Sequence, residues 1–99
     1  MIILFISLDC PIVSILNKSP YMINMDSLPI LFCRAKGRPS PLVQWYKADT
    51  AVNPFLSPMQ QSYIVPHNMP HTTVYTCKAM NNVGNTECEK SANITVIVK

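Results

Sequence analysis

The residues of this chain with the most capacity for chemistry are its four cysteines, Cys10, Cys33, Cys77 and Cys88. If all four are oxidised, three pairings are open to them. None of them lie in C-x-x-C spacing, and neither the 23 residues from Cys10 to Cys33 nor the 11 from Cys77 to Cys88 match a common zinc framework. We therefore interpret the thiols as disulfide partners or free thiols and expect no metal site.

The histidines and carboxylates add no catalytic arrangement. His67 and His71 are four residues apart beside Pro66 and Pro70. In a proline-flanked turn they cannot adopt the helical geometry of a metal-binding pair, so we interpret them as exposed loop residues. The acidic residues are scattered and form no carboxylate pair: Asp9, Asp26, Asp49, Glu87 and Glu89. We predict that the protein is not an enzyme and uses no cofactor.

The elements that must position the cysteines are short strands. The chain has 99 residues, enough for one domain, and 48% of them are hydrophobic, enough to bury a core. Nine prolines beside two glycines suit strands ended by loops better than long helices. We predict one domain over residues 10–99, after an apolar extension over residues 1–9 that is a signal remnant, a linker or the result of truncation.

Hydrophobic residues occupy alternate positions in four stretches, the period expected of half-buried strands. Their shared inward positions are Leu31, Cys33 and Ala35, then Val43 and Trp45, then Tyr75, Cys77 and Ala79, and finally Ile94, Val96 and Val98. Turn residues lie between them at 37–41, 53–54, 67–70 and 81–85. The pattern predicts an all-β sandwich or barrel.

Two motifs carry a family resemblance over nearly the whole chain. One is L-x-C-x-A-x-G-x-P-x-P followed by W-x-K, matched by LFCRAKGRPSP at 31–41 and WYK at 45–47. The other is Y-x-C-x-A-x-N-x-x-G, matched by YTCKAMNNVG at 75–84. On these residues the chain resembles the I-set of the immunoglobulin superfamily, whose fold is a two-sheet antiparallel sandwich.

The resemblance implies a role for each residue of the central cluster. Cys33 and Cys77 form a disulfide between the two sheets, with the indole of Trp45 packed beside it. Leu31 and Tyr75 are core residues, and Tyr75 is placed to turn its hydroxyl back toward the corner between the strands that the family labels E and F.

The chain also departs from the family pattern. His71 and Thr73 stand where the family usually has D-x-G or D-x-A before Y-x-C. Only 32 residues separate Trp45 from Cys77, which implies a short C′–D region over about residues 49–61 and a strand E over 61–65.

The second cysteine pair stays open at this stage. Cys10 precedes the first strand and Cys88 lies early in the last one, and both strands begin near the same end of this fold. A bridge between them is geometrically feasible if their Cα atoms come within about 7 Å. The alternative is two free thiols.

Alternation assigns the outward side chains of two strands to a candidate protein-binding face: Gln44, Tyr46, Thr76, Lys78 and Met80, together with Val74. The alternative is an ordinary half-polar sheet surface. Ile30 and Phe32 also point outward, and we expect the apolar N-terminal segment to cover them.

Arg34, Lys36 and Arg38 form a small basic cluster. We interpret this cluster as solvated and not as a nucleic-acid site, with heparin binding as a further option.

The resemblance implies protein recognition. We expect an extracellular module of a cell-surface adhesion molecule or receptor, bound by another immunoglobulin-type domain or a protein ligand and tied to a membrane only through the parent protein. Two Asn-x-Ser/Thr sequons, at Asn93 and at Asn17 before Ser19-Pro20, are candidate glycosylation sites. The alternative is a structural module of an intracellular, titin-like muscle scaffold in the sarcomere, with reduced thiols.

Overall fold

A computed structural model describes residues 8–24, 29–52, 60–66 and 71–99. The described residues form eight strands in two sheets and no helix: β1 (Asp9–Ile15), β2 (Tyr21–Ile23), β3 (Ile30–Arg38), β4 (Leu42–Lys47), β5 (Thr50–Ala51), β6 (Gln60–Ile64), β7 (Thr72–Val83) and β8 (Thr86–Val98). One sheet has the order β1-β3-β6 and the other β2-β8-β7-β4-β5. The predicted all-β, two-sheet fold is confirmed.

One strand pair departs from the antiparallel prediction. β2 runs parallel to β8, with Tyr21 opposite Val96 and Ile23 opposite Val98. The chain leaves the first sheet after β1, turns at residues 17–20 and continues as β2 along the last strand of the second sheet. The first part of the chain therefore contributes a strand to both sheets.

The alternating hydrophobic positions form the core between the sheets. Leu31, Cys33, Ala35, Val43, Trp45, Tyr75, Cys77, Ala79 and Val96 are all 0% exposed, and Ile94 is 1% exposed. Outward neighbours in the same strands, such as Phe32, Arg34 and Lys36, are exposed. The period of two is therefore the burial pattern of these strands, because successive side chains of a strand point to opposite faces.

The strand predicted over 61–65 is observed one residue earlier, as β6. Val65 still continues the ladder through a 2.9 Å hydrogen bond from its amide to the carbonyl of Pro29. β5 is a two-residue strand at the start of the predicted C′–D region, and residues 53–59 of that region lie outside the described residues. The same holds for the predicted turn at 67–70, which contains His67.

β7 and β8 form a long hairpin closed by two residues, Gly84 and Asn85. Gly84 has φ +64°, a left-handed conformation that glycine adopts without strain. Val83 pairs with Thr86 directly across the turn, and the ladder continues to Thr72 opposite Ile97. The turn thereby sets the register of the two longest strands.

Asn81 fastens one end of the sandwich. Its side chain is 7% exposed, and Nδ2 donates to the carbonyl of Asp9 at 2.8 Å and to that of Pro39 at 2.9 Å. A Cβ at position 37 would lie 3.0 Å from this Nδ2 and 3.2 Å from the Asp9 carbonyl, so Gly37 leaves the room the amide needs. The glycine of one family motif thus packs against the asparagine of the other.

We predict that Asn81→Ala lowers the free energy of unfolding by about 1–2 kcal/mol, because two carbonyls lose a buried donor. The loss stays at this moderate level because Asn81 Oδ1 itself makes no hydrogen bond among the described residues. Asn82→Ala is the matched control, since Asn82 is exposed and its change should stay within about 0.5 kcal/mol. We call the two hydrogen bonds of the Asn81 amide the Asn81 clamp. Equal unfolding free energies for the two variants in urea titrations would contradict a stabilising role for this clamp.

Candidate protein interface and the residues that support it

The centre of the sandwich is a disulfide between Cys33 of β3 and Cys77 of β7. These strands belong to different sheets, the two Cα atoms are 6.4 Å apart, and both residues are fully buried. Trp45 lies directly opposite Cys77 in the β4–β7 ladder and is also fully buried. The structure therefore places the two cysteines and the indole in the central cluster that the resemblance implied.

A second disulfide joins Cys10 of β1 to Cys88 of β8. Their Cα atoms are 5.4 Å apart, and both residues are half-buried. Cys88 pairs with Asn81 across the β7–β8 ladder, so this bridge and the Asn81 clamp hold the same end of the domain. Of the two alternatives for the second cysteine pair, the structure contains the disulfide, and all four cysteines are paired.

Tyr75 is fully buried beside Tyr63, with 5.6 Å between the ring centroids. Burial, and secondarily the neighbouring Tyr63 phenol, raises the pKa of Tyr75 to about 12. Burial also raises the pKa of Tyr63. Sequence reasoning did not single out Tyr63, although its place between Ser62 and Ile64 in a predicted strand was a usable signal. The corner at 67–70, toward which the Tyr75 hydroxyl was expected to turn, lies outside the described residues.

We predict a loss of stability between about pH 10 and pH 12. The unfolded chain releases a tyrosine proton near pH 10, whereas the folded state holds that of Tyr75 up to about 12. The stabilising contribution of the neutral phenol is therefore complete below pH 10 and disappears as the pH rises through 12. Urea unfolding across this range measures it, and Tyr75→Phe should flatten the decline. A decline of the same size in Tyr75→Phe would contradict the assignment.

The outward face of β4 and β7 carries a small network around an aromatic ring. The Nζ of Lys78 lies 4.7 Å from the centroid of the Tyr46 ring and 3.5 Å from Oε1 of Glu89. The Tyr46 hydroxyl donates to Oε1 of Gln44 at 2.9 Å. The ring is held between a cation and an amide, so its position on the surface is defined before any partner arrives.

Gln44 was predicted to be part of the exposed protein-binding face, and this prediction is wrong as to its exposure. It does lie on the outward side of β4, opposite Lys78, but it is only 7% exposed. Its amide accepts the Tyr46 hydroxyl, so Gln44 supports the ring and offers little area of its own. The accessible surface comes from the half-buried Tyr46, Thr76, Lys78 and Met80, with Val74 at 46% and Leu42 at 40% exposure.

Met80 and Leu42 extend the face toward the end held by Asn81. The two residues are paired across the β4–β7 ladder and line a shallow groove of about 220 Å³ with Pro39 and Ser40. The apolar pair Leu42 and Met80 thus lies at the β3–β4 loop end of this face, and the polar pair Gln44 and Lys78 separates it from the Tyr46 ring. We name Tyr46, Thr76, Lys78, Met80, Val74 and Leu42 the β4–β7 face.

The other sheet also exposes apolar side chains. Phe32 is 38% exposed and Ile30 is half-buried, so the described residues leave Phe32 partly open. Residues 1–7 of the apolar N-terminal segment that was expected to cover them lie outside the described residues. That expectation stays a prediction.

The two sequons differ in what their amides do. Both amide atoms of Asn17 are used by β3: Nδ2 donates to the carbonyl of Ile30 at 2.9 Å, and Oδ1 accepts the amide of Phe32 at 2.8 Å. Asn93 is exposed on β8, and its Oδ1 accepts the hydroxyl of Thr76 at 2.8 Å. The described hydrogen bond of the Asn93 amide therefore uses Oδ1, whereas glycosylation takes place at Nδ2.

Within the described ranges, no group of three or more His, Cys, Asp or Glu side chains could hold a metal ion. His71 is exposed, and His67 lies outside those ranges. The described part of the chain also contains no helix long and apolar enough to cross a membrane.

Comparisons with known proteins agree with this architecture. The profile of the immunoglobulin domain family matches residues 13–98. Mouse hemicentin-2 is 34% identical over 73 residues, which is 69% of this chain and 1% of that protein, so the chain spans a very small part of this relative. One chain of a solved complex of titin with an obscurin-like 1 immunoglobulin domain superposes on this chain with a TM-score of 0.66 at 21% identity. The match covers 92% of this chain and 95% of the chain in that complex. This last likeness supports the fold alone.

The chain belongs to the immunoglobulin domain family. The predicted superfamily and sandwich fold are thereby confirmed, and the I-set subtype stays a prediction.

Proposed function

We propose that this chain is an extracellular, protein-binding immunoglobulin module of the I-set, part of a cell-surface adhesion molecule or receptor. The observation that carries the proposal is the pairing of all four cysteines in two disulfides. Structural disulfides persist in oxidising compartments, whereas cytosolic glutathione and thioredoxin keep thiols reduced. A module with two bridges therefore suits the cell exterior better than the interior of a muscle cell.

The β4–β7 face is the proposed docking surface. Interfaces are enriched in aromatic residues and methionine at their centre. This face presents Tyr46 from β4 and Met80 from β7, two adjacent strands inside the five-stranded sheet. Lys78 lies over the ring and is also paired with Glu89, so a partner meets an ordered ring. Holding a side chain in its bound position before association reduces the entropy lost on binding.

Asn93 is the proposed glycan site. Glycosylation would join Nδ2 to C1 of a sugar from a lipid diphosphate-linked oligosaccharide, with loss of one Nδ2 proton and departure of the lipid diphosphate. The exposed Asn93 amide has room for this bond, whereas the Asn17 amide is occupied by the backbone of β3. Asn93 is paired with Thr76, so its glycan would rise from the β8 edge of the β4–β7 face.

We predict that protein taken from its native tissue, with free thiols alkylated before extraction, carries no alkyl group on any cysteine and carries a glycan on Asn93 but none on Asn17. Mass spectrometry of the glycosidase-treated protein measures both features. A reduced and alkylated sample is the control and should gain four alkyl groups, one for each cysteine. Alkylated Cys33 and Cys77 together with unmodified Asn93 would instead support the intracellular muscle scaffold.

We predict that Tyr46→Ala lowers the binding of a multivalent, secreted form of the chain to partner-bearing cells by at least about tenfold, the effect of losing a central aromatic residue. Ser14→Ala is the matched control, because Ser14 is exposed on the other sheet. Unchanged binding by Tyr46→Ala, with the fold intact, would exclude this face.

A further inference from the structure

Three cations form a straight row on the outward side of β3. Arg34, Lys36 and Arg38 occupy alternate positions of the strand, and all three are exposed. Alternate residues of a strand point to the same face and lie about 7 Å apart, so the row is about 14 Å long. Their inward neighbours Cys33 and Ala35 are fully buried, which fixes the side of the sheet on which the row stands.

The acidic residues of the described ranges lie mostly elsewhere. Glu87 and Glu89 belong to β8 of the five-stranded sheet, and Asp49 lies in the turn that joins β4 and β5 of that sheet. Glu89 forms an ion pair with Lys78 on that sheet. Asp9 alone lies beside the row, opposite Arg38.

The neighbours of the other two cations are uncharged. In the ladder with β1, Arg34 lies opposite Ser14 and Lys36 lies opposite Ile12. On its other side β3 pairs with β6, where Gln60 lies opposite Arg34. Arg34 and Lys36 therefore have no acidic residue directly opposite them in the described ladders, although Asp9 of β1 lines the same groove as Lys36 and Arg38.

A surface groove of about 510 Å³ runs beside the row and is lined by Asp9, Cys10, Ile12, Lys36, Gly37 and Arg38. The lining residues on β1 are held in position, because Cys10 forms a disulfide with Cys88 and the carbonyl of Asp9 accepts a hydrogen bond from the Asn81 amide. The groove is lined by two cations, Lys36 and Arg38, and one carboxylate, Asp9, so its charge is positive on balance. A rigid groove of positive charge binds an anionic chain with little loss of conformational entropy.

We propose that this row binds a linear sulfated polysaccharide, whose sulfate groups pair with Arg34, Lys36 and Arg38 while the chain follows the groove. An extended polymer with anions at regular intervals matches a straight row of cations, and guanidinium groups bind oxyanions through paired hydrogen bonds. The site lies on the opposite sheet from the β4–β7 face, so both can be occupied together. The biological setting rests on the extracellular function proposed above.

A nucleic acid is the less suitable ligand. Single-strand binding surfaces combine basic grooves with several aromatic rings on which bases stack. On the outward side of this sheet, within the described residues, Phe32 is the only aromatic residue, and it stands at the end of β3 away from the groove.

The test is immobilised heparin, with binding measured as a function of salt. The unmodified chain should be retained at about 50 mM NaCl and released as salt rises, because the contacts are ionic. The variant R34Q/K36Q/R38Q should lose at least about tenfold in affinity and show a salt dependence reduced by about two to three ions. The variant K47Q/K90Q/K99Q removes the same charge from β4, from β8 and from the residue that follows β8, and it should keep its affinity.

Four outcomes would overturn the proposal: no retention at low salt, equal losses in the two triple variants, equal binding to fully desulfated heparin, or tighter binding to duplex DNA or anionic vesicles of matched charge. Unchanged urea unfolding of both variants confirms that the fold is intact. Tyr46→Ala should bind heparin normally, so a failure of this site is distinguishable from a failure of the proposed protein-binding function.

Discussion

The covalent link between Cys33 and Cys77 fixes the separation of the two sheets at their centre, and the rest of the structure is arranged around that constraint. It closes a loop of 44 residues, which in the chain-entropy model stabilises the folded state by about 4 kcal/mol. That contribution is comparable with the net stability of a small domain. Trp45 lies opposite Cys77, Tyr75 is buried beside Tyr63, and the buried alternate positions of four strands complete the core.

The fixed core lets the two outward faces carry different chemistry. The five-stranded sheet presents an aromatic ring held by Lys78 and Gln44, with the acidic residues of β8 nearby. The three-stranded sheet presents basic side chains beside a groove. One end of the domain is secured twice, by Cys10–Cys88 and by the Asn81 amide. Recognition surfaces on such a framework gain from rigidity, because less order must be created when a ligand binds.

The sequence predicts the parts of this structure that depend on local pattern. Alternation around Cys33, Trp45 and Cys77 reports which side of each strand is buried, and the observed burial follows it. The parallel pairing of β2 with β8 was not predictable, because Tyr21–Ile23 is too short for a clear period. The Asn81 clamp joins atoms 72 residues apart, and such contacts leave no local signal. Gln44 was expected to be exposed because alternation places it on the outward face of β4. Whether a side chain on that face is buried depends on its neighbours, and here the Tyr46 hydroxyl donates to Gln44.

Peptide mapping without reduction is the most direct measurement of the central claim. A digest of the oxidised protein, analysed by mass spectrometry, should contain the peptide of Cys33 joined to that of Cys77, and the peptide of Cys10 joined to that of Cys88. Pairing of Cys33 with Cys10 or Cys88 would contradict the account. So would free thiols at Cys33 and Cys77 in the folded protein, because the link between the sheets would then be missing.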